Sequence, residues 1–261
     1  MCLLVIAWQA HPRYRLIVAA NRDEYHERPA APLSKWPPPG EILAGRDLRA
    51  GGTWLGLDRQ RRFAVVTNFR ELHQPVTAAP SRGELIPDYL RGGARAGRFV
   101  SALAPAAPTY SGFNLLLSDA DSLWYASNRA EGFGRALTAG VYGLSNQYLD
   151  TPWPKLVRVR RKLEDWLTRP KEADPEALFA MLADRAYAGT DDEDLPETGL
   201  PPEWEHALSA PFVNHAGYGT RCSTVLLLEP AGAFFMAERR FDASGTRTGE
   251  TVLRAGSGEW P

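Results

Sequence analysis

Cysteine is scarce in this sequence, and its scarcity excludes whole classes of protein. Only 2 of the 261 residues are cysteine, at positions 2 and 222. Two thiols cannot build the disulfide framework of a small secreted domain, and alone they cannot complete a metal site. The 5 histidines are scattered, without the spacing of metal ligands. The sequence therefore predicts reduced thiols and no metal or other cofactor.

Long apolar runs and a strong net charge are absent as well. No segment approaches the roughly 20 apolar residues of a membrane-spanning helix, and no basic stretch precedes the first apolar run as in a secretory signal. The formal net charge is -1, so nothing draws the chain as a whole toward nucleic acid or anionic lipid. No linker, internal repeat or glycine-rich nucleotide motif is present. These absences predict one cytoplasmic domain over residues 1–261, with no integral membrane segment and no nucleic-acid partner.

Short apolar segments bounded by turn residues dominate the pattern and predict many antiparallel strands. Two groups of helices interrupt them, one within residues 81–103 and one within residues 153–183. Ser81 with Glu84 matches a capping box, and Asp174 followed by proline matches a helix N-cap. The pattern favours an α+β fold in which helices cover the outer faces of sheets, rather than alternating βαβ units.

Three further stretches are predicted to lie outside regular elements. Residues 25–40 contain 5 prolines, and we expect an irregular loop or polyproline-like backbone there. Such a long loop is either part of a binding site or a solvated cover. Residues 191–194 are all acidic; a solvated surface loop is the expected structure, with a metal site as the alternative. Gly51 and Gly52 either allow a close backbone approach or a positive φ, which suits a pocket wall, or simply form a turn.

The start of the chain carries the most chemical content. Cys2 opens an apolar run that ends at Trp8, Pro12 lies in the break that follows, and a second apolar run spans residues 16–20. Antiparallel pairing of the two runs brings residues 21–24, Asn-Arg-Asp-Glu, back beside Cys2. A thiol at the chain start next to a guanidinium and two carboxylates is typical of an N-terminal nucleophile. The alternative is a small apolar residue that opens a core strand.

An N-terminal nucleophile at this position requires that Met1 be removed. The free α-amino group of Cys2, with a pKa near ~8, would then be available to accept the thiol proton. A peptide nitrogen cannot do so. The small side chain of Cys2 is compatible with the removal, and the intact mass of the protein reports whether it occurs.

Other polar residues stand where predicted strands end or begin. Asn68 and Asn146 each end a strand, and the amide of Asn68 could donate hydrogen bonds to a developing oxyanion. Turn and capping roles are the alternatives. Arg221 stands at the start of a buried strand, where an unpaired charge is costly, and Asp23 or Glu24 is its candidate partner.

Several of these residues belong to motifs that lie along almost the whole chain: Met1-Cys2, Asn21-Arg22-Asp23-Glu24, Gly51-Gly52-Thr53-Trp54-Leu55-Gly56, Val66-Thr67-Asn68-Phe69-Arg70, Ser81-Arg82-Gly83 and Tyr218-Gly219-Thr220-Arg221. Together they resemble the NRDE family, which is the family of the transport and Golgi organisation proteins. That family is similar in organisation to the cysteine N-terminal-nucleophile (Ntn) hydrolases of the penicillin V acylase and bile salt hydrolase type. The resemblance implies an αββα four-layer sandwich, with two mainly antiparallel sheets between helical layers.

The resemblance also implies a role for each member of a candidate site. Cys2 would be the nucleophile and its α-amine the base, and Arg22 and Asp23 would orient the amine and the thiol. The oxyanion hole and the polar ring that completes it would consist of Asn68, Asn146 and Arg221.

One departure from those hydrolases concerns the charged pair. Their arginine and aspartate are separated by intervening residues, whereas Arg22 and Asp23 are adjacent and point to opposite faces of an extended strand. We therefore expect one of the two to reach Cys2, while Asn21 or Glu24 takes the other role.

Three functions are compatible with these residues. The first, which we favour, is hydrolysis of a nonpeptide carbon–nitrogen (amide) bond of a small amide or acyl substrate, through a thioester on Cys2. The second, which the family resemblance suggests, is a noncatalytic carrier of a lipid, an acyl thioester or haem on the same scaffold. The third is a structural partner of another protein, for which the sequence offers no positive sign. The oligomeric state stays open.

Overall fold

The computed structural model describes residues 2–38, 41–71, 79–168, 174–188 and 195–261. Met1 and the acidic run at 191–194 lie outside the described residues, so the expectations for them stay predictions. Among the described residues, every helix is too short or too polar to span a bilayer. The chain divides into two compact units by its internal contacts, and the assignment of one domain to residues 1–261 remains a prediction.

The strands are, in chain order, β1 (Cys2–Trp8), β2 (Leu16–Tyr25), β3 (Ala30–Lys35), β4 (Ile42–Asp47), β5 (Leu55–Asp58), β6 (Phe63–Asn68), β7 (Phe113–Ser118), β8 (Leu123–Ser127), β9 (Gly134–Leu137), β10 (Gly140–Leu144), β11 (Asn214–His215), β12 (Tyr218–Leu228), β13 (Phe234–Phe241) and β14 (Arg247–Ala255). The α-helices are α1 (Leu85–Gly92), α2 (Ala96–Leu103), α3 (Pro154–Leu167), α4 (Pro175–Leu182) and α5 (Pro202–Ala207).

The first unit comprises residues 1–27, 139–145 and 149–259. Its sheet has the order β10-β1-β2-β12-β13-β14, with β11 beside β12, and its strand pairs are antiparallel. The side chains of Leu3 and Val5 on β1 belong to one apolar cluster with side chains of α3 and α4. Because side chains alternate along a strand, one face of this sheet carries the helices, and Cys2 projects from the other face.

The second unit comprises residues 28–138, 146–148 and 260–261. Its strands follow one another in sequence order, β3 to β9, and every neighbouring pair is antiparallel. Apolar side chains of α1 and α2 pack in one cluster with those of β6 and β7. The predicted class, α+β with helices packed on mainly antiparallel sheets, is confirmed in each unit.

The N-terminal hairpin predicted from the sequence is confirmed. The register pairs Cys2 with Arg22 and Trp8 with Leu16, so the end of β2 returns beside Cys2 as expected. All residues of β1 after Cys2 are buried. Their burial explains why the apolar run is continuous rather than alternating.

The expected irregular loop at residues 25–40 is wrong over much of its length. β2 continues to Tyr25, and β3 occupies Ala30–Lys35 even though Pro32 lies inside it. β3 is at the edge of its sheet, and its register with β4 shifts between Ala31 and Ser34. A proline lacks a backbone donor, but an edge strand with an irregular register tolerates it.

Of the two predicted helix caps, one is confirmed and one is wrong. The carboxylate of Asp174 accepts a hydrogen bond of 2.9 Å from the backbone N–H of Glu176, as an N-cap does. Ser81 makes no side-chain capping bond, and a short 3₁₀ turn at Arg82–Glu84 comes before α1. The motif Ser81-Arg82-Gly83 therefore does not act as a helix cap.

Gly83 instead takes part in a close contact between two backbone segments, one at Gly52 and one at Gly83. The N–H of Thr53 donates to the carbonyl of Gly83 at 3.0 Å. A Cβ at Gly52 would lie 2.5 Å from the carbonyl carbon and oxygen of Gly83. Gly51 precedes this contact with a φ of +80°. Of the two readings of the glycine pair, close backbone approach is the one that Gly52 satisfies.

We predict that Gly52→Ala lowers the free energy of unfolding by about 1–3 kcal/mol, because the added methyl group overpacks a rigid backbone contact. The matched control is Gly92→Ala in α1, where a Cβ would meet nothing within 4 Å. That variant is expected to be neutral or stabilising by up to about 1 kcal/mol. Urea unfolding of both variants measures the difference, and equal stability of the two would contradict the contact.

Candidate active site at the start of the chain

The residues of the Asn-Arg-Asp-Glu segment alternate between the two faces of the sheet at the end of β2. The first, Asn21, is 1% exposed, and its amide nitrogen donates to the carbonyls of Leu182 and Pro211, both at 2.9 Å. Its carbonyl oxygen accepts from the hydroxyl of Ser223 at 2.6 Å. Asn21 thus anchors the strand to neighbouring backbone, which does not suit the chemical role that the sequence left open for it.

Arg22 stands directly opposite Cys2. It is the Cα partner of Cys2 on one side and of Cys222 on the other, so the three side chains project from the same face of the sheet. The side chain is 6% exposed, and Nη2 lies 3.8 Å from Oε2 of Glu24. A buried guanidinium therefore stands between the two cysteines.

Asp23 points to the other face, as alternation requires. Its Oδ1 accepts a hydrogen bond of 2.7 Å from the hydroxyl of Thr220, and that hydroxyl accepts from the N–H of Val213 at 2.9 Å. The backbone carbonyl of Asp23 accepts from the hydroxyl of Tyr218 at 2.9 Å. This chain of hydrogen bonds fixes the carboxylate, which is 1% exposed.

The position of Asp23 relative to Cys2 follows from the strand register. β1 and β2 are antiparallel, and Leu3 pairs with Asn21 as Cys2 pairs with Arg22. Asp23 is one residue further along β2 and therefore lies beyond Cys2, on the side of its backbone nitrogen. The N–H of Asp23 also donates to the thiol of Cys2. Arg22 thus lies beside the side chain of Cys2, and Asp23 lies beside the end of β1 that carries the nitrogen.

Burial raises the pKa of the Cys2 thiol above its ordinary value. The positive charges of the chain terminus and of Arg22 lower it, whereas the carboxylate of Asp23 raises it. The upward effects prevail, so the resting group at neutral pH is the thiol. A thiol that does not ionise by itself needs a base before it can act as a nucleophile.

Cys222 is held in a more restrictive environment. It is 4% exposed, and its pKa is raised well above the ordinary value by burial and by the carboxylate of Glu238, to which the thiol is hydrogen-bonded. Glu238 is 2% exposed. This thiol–carboxylate contact is not predictable from the sequence, because Glu238 begins a short run of charged residues, Glu238-Arg239-Arg240, that is typical of solvated surface.

Arg221 lies at the irregularity in β12, where the register with β2 shifts between Thr220 and Cys222. Its Nη1 donates to the carbonyls of Tyr25 and His26, at 2.8 and 3.2 Å. Burial and the charge of Arg22 lower the pKa of Arg221. The guanidinium is therefore attached to the backbone that follows the Asn-Arg-Asp-Glu segment.

The two predicted asparagines belong to the second unit. The amide nitrogen of Asn146 donates to the carbonyl of Asn68 at 2.9 Å, and the carbonyl of Asn146 accepts from the N–H of Arg70 at 2.6 Å. Asn146 is 0% exposed and has a positive φ of 60°, a conformation that asparagine tolerates better than most residues. The structure thus brings Asn68 and Asn146 together within that unit.

Metal ligands are not grouped in the described part of the chain. Among those residues, no set of three or more histidine, cysteine, aspartate or glutamate side chains is placed to hold an ion.

Known proteins are similar to this chain in sequence, and solved structures are similar to it in fold. A family model described as Transport and Golgi organisation 2 matches residues 1–243. The chain is 32% identical over 271 residues to the Transport and Golgi organization protein 2 homolog of Bos taurus, covering 97% of each protein. It is 31% identical over 279 residues to the homolog of Homo sapiens, covering 98% of this chain and 100% of the relative.

Among solved structures, the mutant C2A of the conjugated bile acid hydrolase from Clostridium perfringens has a similar fold. The TM-score is 0.52 at 7% identity, over 97% of this chain and 92% of that one. The predicted fold type, the α+β sandwich of the Ntn hydrolases, is confirmed by this similarity. An identity this low carries the fold alone.

We predict that iodoacetamide labels Cys2 before Cys222, at least about tenfold faster, because access and thiolate fraction both favour Cys2. Since burial raises the pKa of Cys2, its labelling rate is expected to climb as the pH rises through and above ~8.5, the ordinary value for a thiol. Peptide mass spectrometry of timed samples measures both rates. Equal labelling of the two cysteines would contradict this ranking.

Substitutions of the two charged neighbours are expected to shift the Cys2 labelling profile in opposite directions. Arg22→Gln removes a cation that lowers the Cys2 pKa, so the midpoint moves to higher pH. Asp23→Asn removes an anion that raises the pKa, so the midpoint moves to lower pH, while the amide oxygen still accepts from Thr220. Arg22→Lys keeps the charge and is the control. Shifts of both variants in the same direction would indicate a structural disturbance instead.

Proposed function

The chain belongs to the Transport and Golgi organisation 2 family, and we propose that it is an N-terminal-nucleophile cysteine hydrolase that cleaves a nonpeptide amide bond. Cys2 is the nucleophile once Met1 has been removed, and its α-amine is the base. The substrate is a small molecule in which an acyl group is joined to an amine. Cys2, Arg22, Asp23, Asn68, Asn146 and Arg221 are the proposed site residues.

The observation that carries this proposal is the register of β1 and β2 at Cys2. Arg22 is the Cα partner of Cys2, and the N–H of Asp23 donates to the Cys2 thiol. An adjacent arginine and aspartate therefore suit a nucleophile that is also a chain terminus. Arg22 acts on the thiol, and Asp23 acts on the α-amine at the end of β1. This division of roles accounts for the absence of intervening residues between them.

The raised pKa of Cys2 supports a mechanism with an internal base. The α-amine takes the thiol proton as sulfur attacks the carbonyl carbon of the substrate, which forms the S–C bond of a tetrahedral intermediate. The protonated amine then gives that proton to the leaving nitrogen, the C–N bond breaks, and an amine product departs from a thioester. Water, deprotonated by the same α-amine, attacks the thioester, and the products are a carboxylic acid and the free thiol.

The remaining proposed residues act on charge that develops at the carbonyl oxygen. We assign to Asn68 the donation of a hydrogen bond to the oxyanion. Asn146, whose amide holds the carbonyl of Asn68 at 2.9 Å, keeps that donor in place. Arg221 is fixed by two backbone carbonyls and supplies positive charge to the polar ring.

The first requirement of the proposal is loss of Met1. The intact mass of protein purified from its native host is expected to lack the methionine, and that protein is the one to assay. Retention of Met1 in all of that protein would leave the nitrogen of Cys2 in a peptide bond and would overturn the proposed base.

We predict that processed protein hydrolyses a member of a panel of N-acyl amides with different acyl chains. Cys2→Ser and Cys2→Ala are expected to lower kcat/KM by at least about a thousandfold, since the first replaces the thiol with a much weaker nucleophile and the second removes the nucleophile. The matched control is Cys222→Ser, which keeps a hydroxyl donor for Glu238 and is expected to retain turnover. Acid-quenched samples are expected to carry the acyl mass on the N-terminal peptide, and hydroxylamine is expected to release it.

Unchanged turnover in Cys2→Ala would contradict the proposal. Saturable binding of a lipid, an acyl thioester or haem by processed protein, without turnover of any amide, would favour the carrier hypothesis instead.

A further inference from the structure

An apolar row crosses the sheet of the first unit and ends at an exposed edge. The strand register places Val5, Ala19, Val225 and Ala237 side by side on β1, β2, β12 and β13, each with an exposed fraction of 0%. The next residue in the row is Val252 of β14, which is 44% exposed. The row is therefore buried at every one of these strands except the last.

The opposite end of the row is closed. Val5 is the Cα partner of Gly143 on β10, and a Cβ at Gly143 would lie 2.7 Å from Cδ1 of Leu156. Helix α3 thus covers this end. Among the described residues, β14 pairs as a strand with β13 alone, and its outer edge presents unpaired backbone groups.

β14 also lacks the features that protect the other sheet edges. β9 has 4 residues and β10 has 5. β3 contains Pro32 and an irregular register. β14 has 9 residues and no proline, and its only register shift lies near its start, at Phe241 of β13. A long edge strand without such protection is suited to pair with another chain.

We propose that β14 pairs antiparallel with β14 of a second copy of this chain, so that the two sheets join into one. Such a dimer has a two-fold axis perpendicular to the sheet. That axis keeps each side chain on its own face, so a residue pairs with one of the same parity in the second copy. The interface extends beyond the proposed hydrolase function and does not depend on it.

Among the axes that pass through a residue on the Val252 face of β14, charge favours the one at Val252. Glu250, Val252 and Arg254 alternate along one face of β14, and the guanidinium of Arg254 lies 5.0 Å from the centre of the Phe235 ring. Within its own copy, Glu250 pairs with Arg239 at 2.7 Å and with Arg247 at 2.8 Å. With Val252 on the two-fold axis, Arg254 of the other copy faces this carboxylate as a further cation, and the two valines join the apolar rows. An axis at Glu250 or at Arg254 would oppose like charges, which destabilises cross-strand pairing.

Cysteine cross-linking tests this register directly. In a Cys2→Ser background, Val252→Cys places two thiols opposite each other on the axis, where mild oxidation is expected to give a disulfide-linked dimer. Thr248→Cys is the matched control, because Thr248 is also exposed on that face but lies opposite Gly256 of the second copy in this register. Nonreducing electrophoresis measures the linked fraction. Equal cross-linking at the two positions would overturn the register.

Sedimentation equilibrium tests the noncovalent dimer. The chain is expected to dimerise reversibly, and Val252→Lys is expected to raise the dissociation constant by about tenfold or more, because it opposes two cations on the axis. Val252→Thr keeps the shape of the side chain and is expected to have a smaller effect. A chain that stays monomeric at high concentration, or a dimer that Val252→Lys leaves unchanged, would overturn the proposal.

Discussion

The register between the first two strands is the constraint on which the candidate site depends. Side chains alternate with a period of two, so a slip of one residue would turn Arg22 away from Cys2 and bring Asn21 or Asp23 to its face. The register is held from both sides. Leu3 and Val5 pack against helices, and Asn21 is attached to two backbone carbonyls that lie about 160 and 190 residues later in the chain. The position of Arg22 opposite Cys2 thus depends on packing and hydrogen bonds that take no part in the proposed reaction.

The four-residue segment after β2's apolar run combines two functions because a strand has two faces. Asn21 and Asp23 have hydrogen-bond partners in other segments of the first unit, such as the carbonyl of Leu182 and the hydroxyl of Thr220. Arg22 and Glu24 alternate with them and form an ion pair of 3.8 Å. One contiguous motif can therefore anchor the strand from one face and supply charge from the other.

Features of the fold and of the candidate site are predictable from the sequence where they depend on contacts between residues close together in the chain. The N-terminal hairpin and the cap at Asp174 follow from local patterns, and both were predicted correctly. β3 was missed because Pro32 argues against a strand, and only its place at a sheet edge makes it acceptable. The contact of Glu238 with the Cys222 thiol depends on the pairing of distant strands. No local feature of the sequence reveals it, since buried and solvated glutamates look alike there.

Two thiols flank one guanidinium, and their other neighbours decide which of them can react. Arg22 lowers the pKa of both cysteines, yet burial raises both. At Cys222 the carboxylate of Glu238 adds to the effect of burial and accepts a hydrogen bond from the neutral thiol, so the thiolate is doubly disfavoured. At Cys2 the opposing neighbour is Asp23, which also donates its N–H to sulfur. The backbone N–H of Asp23 and the charge of Arg22 favour the thiolate, so the thiol ionises once a base takes its proton. A thiol that is neutral at rest resists oxidation and ionises only as its proton is taken.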